Sequence, residues 1–179
     1  SVHLVEKSDT LGGNAGNWAC MATHSCQNCG ACLVQEMAGQ VLSQDNVSIH
    51  LGARVTQLTQ KPGAITAQLS TGQTLTPQKI IMATGFTPFD PAQIPSYHFT
   101  DLDKVVTTAE LNTLIREEKL ESLAGPAPNI AFLQCVGSRD KIQGRDYCSQ
   151  VCCKISMRHA QKLTHLLPDA KISLFYMDL

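Results

Sequence analysis

The chain has 179 residues and a formal net charge of −1, with 14 Lys and Arg against 15 Asp and Glu. This balance gives no electrostatic case for nucleic acid or an anionic membrane, and no apolar run is long enough for membrane insertion. Eight cysteines without a secretory signal indicate a reducing compartment, the cytoplasm, and metal or redox chemistry rather than disulfides. Short apolar runs that alternate with amphipathic segments predict an α/β fold.

The first predicted element is a strand, Val2–Glu6, that ends in an acidic residue. In a dinucleotide-binding βαβ unit the second strand ends in this way, because a carboxylate at its tip accepts hydrogen bonds from ribose hydroxyls. An exposed glutamate at a strand end is the simpler interpretation of Glu6 taken alone. The two glycines that follow, Gly12 and Gly13, allow the backbone to approach a cofactor closely.

The string Val-Glu-Lys-x-x-x-Leu-Gly-Gly, which starts at Val5, resembles the second-strand signature of FAD enzymes with two dinucleotide-binding domains. The resemblance implies an FAD site with contacts at Glu6, Lys7, Gly12 and Gly13. The first strand and its Gly-x-Gly-x-x-Gly loop would lie before Ser1. We therefore expect the chain to be an internal fragment of a longer flavoprotein.

Four cysteines follow in the order Cys20, Cys26, Cys29 and Cys32. The last three have the C-x₂-C-x₂-C spacing of bacterial ferredoxins, in which a fourth cysteine precedes a proline. No proline follows Cys32, so the fourth ligand of a [4Fe–4S] cluster must come from Cys20, from residues outside the chain or from a partner protein. A zinc site and a redox-active Cys26/Cys29 dithiol, as in pyridine-nucleotide-disulfide oxidoreductases, remain open alternatives.

The middle of the chain is predicted to be rich in strands. A short helix over 33–42 precedes three alternating segments, 47–51, 54–58 and 64–69, which we expect to form a small antiparallel sheet. This pattern is similar to the sheet inserted in FAD domains, and the similarity places the backbone of Val55 against adenine.

Residues 79–85 read as a buried parallel strand that ends in Ala-Thr-Gly. In the flavoproteins that the chain resembles, this strand returns to the FAD domain, and the turn at Thr84 and Gly85 packs against the cofactor. We accordingly predict a partial FAD-binding domain over 1–86 and a proline-rich connector over 87–106. A partial, degenerate NAD(P)-like domain then covers 107–179, and its first helix opens with a capping box at Thr107 and Glu110.

The last fifty residues predict a βαβ unit with a right-handed parallel crossover. Its strands are 129–134 and 171–177, and its helix runs from near Cys148 to about Leu167. A nucleotide-binding unit would carry a glycine-rich phosphate loop after the first strand, and only Gly137 and Gly144 are present there. We therefore predict that NAD(P)H does not bind here, although Asp178 lies where a ribose-binding acid would be.

Four cysteines replace that phosphate loop, namely Cys135, Cys148, Cys152 and Cys153. With four thiolates, an oxidised [4Fe–4S] cluster carries a charge of about −2, which the N-terminus of the following helix can stabilise. We expect Cys148 and Cys152 to share one face of that helix. Zinc is the competing metal, but Cys₄ zinc sites usually combine two C-x₂₋₄-C pairs and C-x₁₂-C-x₃-C-C has one. The spacing thus favours iron–sulfur over zinc.

Residues 132–140 (FLQCVGSRD), 147–153 (YCSQVCC) and 175–179 (FYMDL) resemble HdrA, the flavoprotein subunit of heterodisulfide reductase, and its relatives. These relatives include flavoprotein subunits of quinone-interacting oxidoreductases. The resemblance implies an FAD- and iron–sulfur-dependent oxidoreductase with a [4Fe–4S] cluster on Cys135, Cys148, Cys152 and Cys153. It also implies other subunits of an Hdr-like electron-transfer complex as partners, and a fragment that is inactive alone. No residue stands out as catalytic, and a zinc-stabilised scaffold domain is the non-enzymatic alternative.

Overall fold

The computed structural model describes residues 1–122, 125 and 128–177. The chain divides into two compact units, one of Ser1–Gly16 and Ala31–Phe86, the other of Asn17–Gly30 and Thr87–Leu179. Each unit contains helix and strand, as expected for an α/β protein. The segment Asn17–Gly30, which carries Cys20, Cys26 and Cys29, groups with the second unit, and so does the predicted connector. That the units correspond to an FAD domain and a degenerate NAD(P)-like domain stays a prediction.

The first unit begins with a β–α–β segment. β1 (Val2–Val5) and β2 (Val47–His50) pair in parallel, with Val2 opposite Val47. Between them, α1 (Ala31–Leu42) is built mostly from strong helix formers such as Ala, Leu, Gln, Glu and Met. The prediction that β2 belongs to the antiparallel sheet is wrong. A helical crossover returns the chain to the end of the sheet from which β1 started, so the next strand runs parallel.

An antiparallel sheet of three strands completes the first unit. β3 (Val55–Lys61), β4 (Ala64–Leu69) and β5 (Thr74–Leu75) lie in chain order, as two tight turns allow. Gly63 and Gly72 occupy these turns with φ angles of +79° and +87°, which favour glycine. The small core contains Ala53, Ala67, Leu69 and Leu75, with Val5 packed against it.

Residues 79–85 do not form the predicted buried strand. They have no regular secondary structure, and the side chains of Ile81 and Met82 are 91% and 79% exposed. A strand is stable only when a neighbour satisfies its backbone N–H and C=O groups, and no described strand pairs with this segment. The apolar sequence is compatible with a strand, but the hydrogen-bonding partner that would make it one is not among the described residues.

The second unit contains α2 (Thr108–Arg116), β6 (Asn129–Leu133), α3 (Cys152–Leu166) and β7 (Lys171–Phe175). β6 and β7 pair in parallel across α3, so the predicted parallel βαβ arrangement is present. The capping box that opens α2 is also present. Thr107 Oγ1 accepts the Glu110 backbone N–H at 3.1 Å, while the Glu110 carboxylate accepts the Thr107 N–H at 2.6 Å.

The core of the second unit lies between these elements and the segment Asn17–Gly30. Its buried side chains are Ala19, Met21, Leu111, Ile115, Leu120, Phe132 and Leu163. Because Ala19 and Met21 face this core, Cys20 between them is exposed. None of the described helices combines the length and the apolar character needed to span a bilayer.

Candidate functional site

A hydrogen-bonded loop brings together two cysteines that are far apart in sequence. β6 ends at Leu133, and the loop that follows begins at Cys135 and returns at Cys148. Its two sides are joined by the Arg139 N–H, which donates to the Tyr147 carbonyl at 2.9 Å. Asp140 and Arg145 exchange two further backbone bonds of 2.8 Å each. The chain between Cys135 and Cys148 is therefore folded back on itself.

The turn at the tip of this loop depends on the side chain of Asp140. Its Oδ1 atom accepts the backbone N–H groups of Ile142 and Gln143 at 3.0 and 3.1 Å. An aspartate that accepts bonds from the next residues stabilises a turn, because it satisfies N–H groups that no strand partner reaches. Asp140 thus fixes the turn that lets Cys148 return towards Cys135.

Cys148 lies before α3 and not within it, so the prediction that Cys148 and Cys152 share a helical face is wrong. The Cys148 sulfur accepts the Gln150 N–H at 3.3 Å, and the Ser149 hydroxyl oxygen accepts the Cys152 N–H at 3.4 Å. Gln150 has a φ of +61°, a conformation outside the right-handed helix. These local bonds compete with helix formation and delay the start of α3 to Cys152.

The thiols of Cys135, Cys148 and Cys152 all lie near enough to Cys153 to influence its pKa. Burial and the charge of Cys152 raise the pKa of Cys153, and Cys135 and Cys148 add smaller effects of the same sign. At Cys152, burial acts to raise the pKa, but hydrogen bonds from Ser149, the Cys135 backbone and Cys153 together lower it. The set therefore combines a more acidic thiol with a less acidic neighbour.

The thiols of Cys135, Cys148, Cys152 and Cys153 are all free. Within residues 1–122, 125 and 128–177, no three His, Cys, Asp or Glu side chains are grouped so as to hold a metal ion. The chemistry of the donor set, four cysteine sulfurs, fits a [4Fe–4S] cluster.

Polar contacts hold the segment that carries Cys20, Cys26 and Cys29 within the second unit. The Ala19 N–H donates to Asn112 Oδ1 at 3.0 Å, and Lys162 Nζ donates to the Ala22 carbonyl at 2.6 Å. The rings of His24 and His165 meet edge to face at 4.6 Å. These contacts hold the loop against α2 and α3, and no local pattern in the sequence indicates them.

Three cysteines of this first set belong to the second unit, and the fourth belongs to the first. Cys20 and Cys26 are exposed, whereas Cys29 packs against the core of the second unit. Cys32 lies in the first turn of α1. The Cys26 sulfur accepts the Asn28 N–H at 3.4 Å, and Asn28 has a φ of +49°. This is the same local geometry that Gln150 provides to Cys148.

Two of the turns predicted to contact FAD are joined by a hydrogen bond in the first unit. Asn14 Nδ2 donates to the Phe86 carbonyl at 2.7 Å, which joins the Gly12–Gly13 turn to the end of the Thr84–Gly85 segment. A Cβ atom at Gly13 or Gly85 would meet nothing within 4 Å, and both have positive φ. Backbone at both turns is thus open to a ligand. Gly12 differs, because a Cβ there would stand 3.0 Å from Val34.

Glu6 and Val55 are linked through the backbone. The Ala53 N–H donates to the Glu6 carbonyl at 3.0 Å, and Ala53 is two residues before Val55. The Glu6 carboxylate accepts the Ser8 N–H at 2.8 Å, which leaves it at the end of β1 in the predicted position. Lys7 is exposed beside it. The open glycines and this carboxylate fit the adenosine end of a dinucleotide, although the sequence contains no Gly-x-Gly-x-x-Gly loop for its pyrophosphate.

In the second unit, the Phe89 side chain occupies the space beside the turn after β6, where a phosphate-binding loop would lie in a nucleotide-binding unit. A Cβ atom placed on Gly137 would overlap the ring of Phe89, which lies directly against this glycine. Asp178, the acid considered for a ribose, lies outside the described residues. The absence of an NAD(P)H site at this unit stays a prediction. No sequence signal identified Phe89, because its partner is more than forty residues away.

No family model matches the chain, but curated relatives do. The chain is 37% identical over 107 residues to the HdrA subunit of the H₂:CoB–CoM heterodisulfide, ferredoxin reductase of Methanothermobacter marburgensis, covering 56% of the chain and 16% of the relative. It is 32% identical over 134 residues to the H₂/formate-dependent counterpart of Methanococcus maripaludis, covering 71% and 19%.

A third relative is one of two HdrA-type iron–sulfur subunits of the CoB–CoM heterodisulfide reductase of Methanopyrus kandleri. It is 38% identical over 106 residues, covering 55% of the chain and 16% of the relative. The chain thus spans less than a fifth of the length of each of these three proteins.

Proposed function

Because the chain belongs to the HdrA family of heterodisulfide reductase subunits, we propose that it passes electrons between FAD and iron–sulfur clusters. The observation that supports the proposal is the folded loop that returns Cys148 towards Cys135, together with the electrostatic effect of both thiols on Cys153. The name of the Methanopyrus kandleri relative, an iron–sulfur subunit, supports the same chemistry.

In this proposal, Cys135, Cys148, Cys152 and Cys153 hold a [4Fe–4S] cluster, which when bound transfers one electron at a time. The protein stabilises the bound thiolates by hydrogen bonds. The Gln150 N–H donates to Cys148, and the Cys135 N–H and Ser149 act on Cys152. Such bonds to cluster sulfurs are one of the levers by which a protein sets a cluster's reduction potential.

A second cluster on Cys26, Cys29 and Cys32, with Cys20 as a candidate fourth ligand, remains part of the proposal. Its support is the Asn28 N–H that reaches Cys26, which repeats the local geometry around Cys148. An N–H directed at a sulfur is one of the bonds by which a protein supports the cysteine ligands of a cluster. The loop that carries Cys20, Cys26 and Cys29 belongs to the same unit as the four C-terminal cysteines.

The flavin part of the proposal assigns FAD to the first unit. Glu6 would accept bonds from the adenosine ribose, the backbone near Val55 would lie against adenine, and the open turns would let backbone approach the cofactor. Lys7 and Thr84 complete the proposed FAD contacts. Gly13 and Gly85 are the open glycines, and Gly12 lies beside Gly13 in the same turn. FAD exchanges electron pairs, and the protein contributes its position relative to the clusters.

We further propose that the partners are other subunits of an Hdr-like electron-transfer complex. The support is the names of the relatives, which describe subunits of larger reductases. A cytoplasmic location is part of the same proposal, since free thiols persist in a reducing compartment.

Metal and sulfide analysis of anaerobically purified protein tests the proposal. We expect about four iron and four sulfide per C-terminal site, about twice that if the first set also binds a cluster. Stoichiometric zinc without iron or sulfide after anaerobic reconstitution would contradict it and favour a zinc-stabilised scaffold. Metal-free protein with a reversible Cys26–Cys29 disulfide would instead favour a disulfide oxidoreductase.

A further inference from the structure

The ring of Phe89 lies against the loop that joins Cys135 to Cys148. Gly137, two residues after Cys135, is buried and has a φ of +78°. A Cβ atom on Gly137 would overlap three atoms of the Phe89 ring. Only a glycine allows this approach, for reasons of both space and backbone conformation.

The far side of the same loop also reaches this ring. The guanidinium carbon of Arg145 lies 4.5 Å from the Phe89 ring centroid, within the range of a cation–π contact. Arg145 Nη2 also donates to Gln93 Oε1 at 3.1 Å. One aromatic ring therefore contacts the loop two residues after Cys135 and three residues before Cys148.

The tip of the loop has little packing of its own. Ile142 at its tip is 95% exposed, and Lys141, Gln143 and Gly144 are exposed as well. Cys135, Gly137 and Arg139 all have φ near +60° to +80°, a region that L residues rarely adopt. A backbone of this kind persists only when its surroundings fix it. Phe89 supplies a rigid apolar surface for that purpose.

We propose that Phe89 is a positioning residue that clamps the loop and so fixes the spacing of Cys135 and Cys148 for cluster binding. The inference rests on the proposed iron–sulfur function. Phe89 is not a member of the hydrophobic core described for the second unit. Its effect should therefore appear at the cluster and not only in the overall stability of the fold.

The test compares anaerobically purified protein carrying Phe89→Ala with the wild type. We expect chelators to remove iron about tenfold faster from the variant, because a freed loop opens more often. The electron paramagnetic resonance spectrum of the reduced cluster and the midpoint potential of the cluster should also shift, since both depend on how the sulfurs are held. Phe89→Tyr keeps the ring and should restore wild-type values.

Ile142→Ala is the matched control, because it shortens an exposed side chain in the same loop without touching the ring. It should leave iron release, spectrum and potential unchanged. If Phe89→Ala does not fold, Phe89→Leu keeps apolar bulk without an aromatic face and serves in its place. A double-mutant cycle with Gly137→Ala then measures the contact itself, since the overlap penalty should shrink once the ring is removed.

The outcomes separate the clamp from the proposed function. Wild-type protein without iron and sulfide refutes the function, and the inference with it, before any variant is compared. Wild-type protein with a cluster, and a Phe89 variant whose spectrum, potential and iron release are unchanged, refutes the clamp alone. A lower melting temperature with an unchanged cluster would show that Phe89 serves only the fold.

Discussion

The Arg139 N–H donates to the Tyr147 carbonyl oxygen at 2.9 Å, and this bond closes the loop between Cys135 and Cys148. Its consequence is that Cys135 and Cys148, thirteen positions apart in sequence, both lie at the base of one closed loop. The ends of the loop are fixed by backbone bonds and its tip by the Asp140 carboxylate. The shape of this loop thus depends on residues outside the cysteine set.

The first prediction concerns Asp140. Asp140→Ala removes the acceptor for two turn N–H groups, which we expect to cost about 1 kcal/mol of local stability. Iron should then be lost from the C-terminal site several-fold faster, as followed by chelator absorbance. Asp140→Asn keeps an accepting oxygen and should behave like the wild type. Equal iron release from the Ala and Asn variants would show that the turn does not control the site.

The second prediction concerns the flavin turns. The chain has open glycines but no glycine-rich phosphate loop, so the 179-residue protein should bind FAD weakly. Gly13→Leu should weaken this binding about tenfold further, because a side chain would fill the space that the cofactor approaches. Fluorescence titration with FAD measures both effects.

Gly63→Leu is the control for backbone strain. Gly63 also has a positive φ and open surroundings, but it lies in the β3–β4 turn away from the proposed cofactor. Its substitution should leave FAD affinity unchanged. Tight stoichiometric binding by the wild type, or equal effects of both substitutions, would mean that FAD does not use the Gly13 turn.

The third prediction concerns pH and His159, whose side chain is 1% exposed. Burial lowers its pKa from 6.5 to about 4. Below pH 6.5 the unfolded state therefore binds a proton that the folded state excludes, and stability falls as the pH decreases towards 4. The loss at about pH 5 should be about 2 kcal/mol relative to neutral pH.

Thermal unfolding at several pH values checks this, with His159→Leu as the comparison. The leucine cannot titrate, and it also removes an Nδ1 atom that has no hydrogen-bond partner among the described residues. The variant should lose much less stability between neutral pH and pH 5. An identical pH dependence in both proteins would assign the titration to another group.

The fourth prediction concerns the anchor of the first cysteine loop. Asn112→Ala removes the acceptor for the Ala19 N–H, which is buried, and should cost about 1–3 kcal/mol. Because Cys29 packs against the core of the same unit, its alkylation in metal-free protein should become faster. Cys32, which belongs to the other unit, should react at the wild-type rate. Mass spectrometry of timed alkylation distinguishes the two, and parallel acceleration of both would contradict the anchoring role.

Local signals in the sequence are sufficient to predict some elements. The capping box at Thr107 and Glu110 is predictable because its four residues contain all the atoms that make it. The turns at Gly63 and Gly72 are predictable for the same reason. The cysteine spacing predicts that Cys135 and Cys148 belong to one set, and this stays a prediction. The spacing does not reveal the hydrogen-bonded loop that joins them.

Features that depend on distant residues could not be predicted. Residues 79–85 have the composition of a strand, but strand formation needs a neighbour that local sequence does not reveal. The predicted start of α3 is misplaced because Ser149 and the Cys148 sulfur accept N–H groups that a helix would otherwise use. The contact of Phe89 with Gly137 joins segments that show no common pattern in sequence.

The most direct test of the central claim is Mössbauer spectroscopy of protein reconstituted anaerobically with isotopically enriched iron. The account predicts the signal of a [4Fe–4S] cluster. The part of this Mössbauer signal that corresponds to the C-terminal cluster, about four iron atoms, should disappear in Cys148→Ser and persist in Cys32→Ser. Full retention of the cluster signal in Cys148→Ser, or the absence of any cluster signal in the wild type, would contradict the assignment of the C-terminal cysteines.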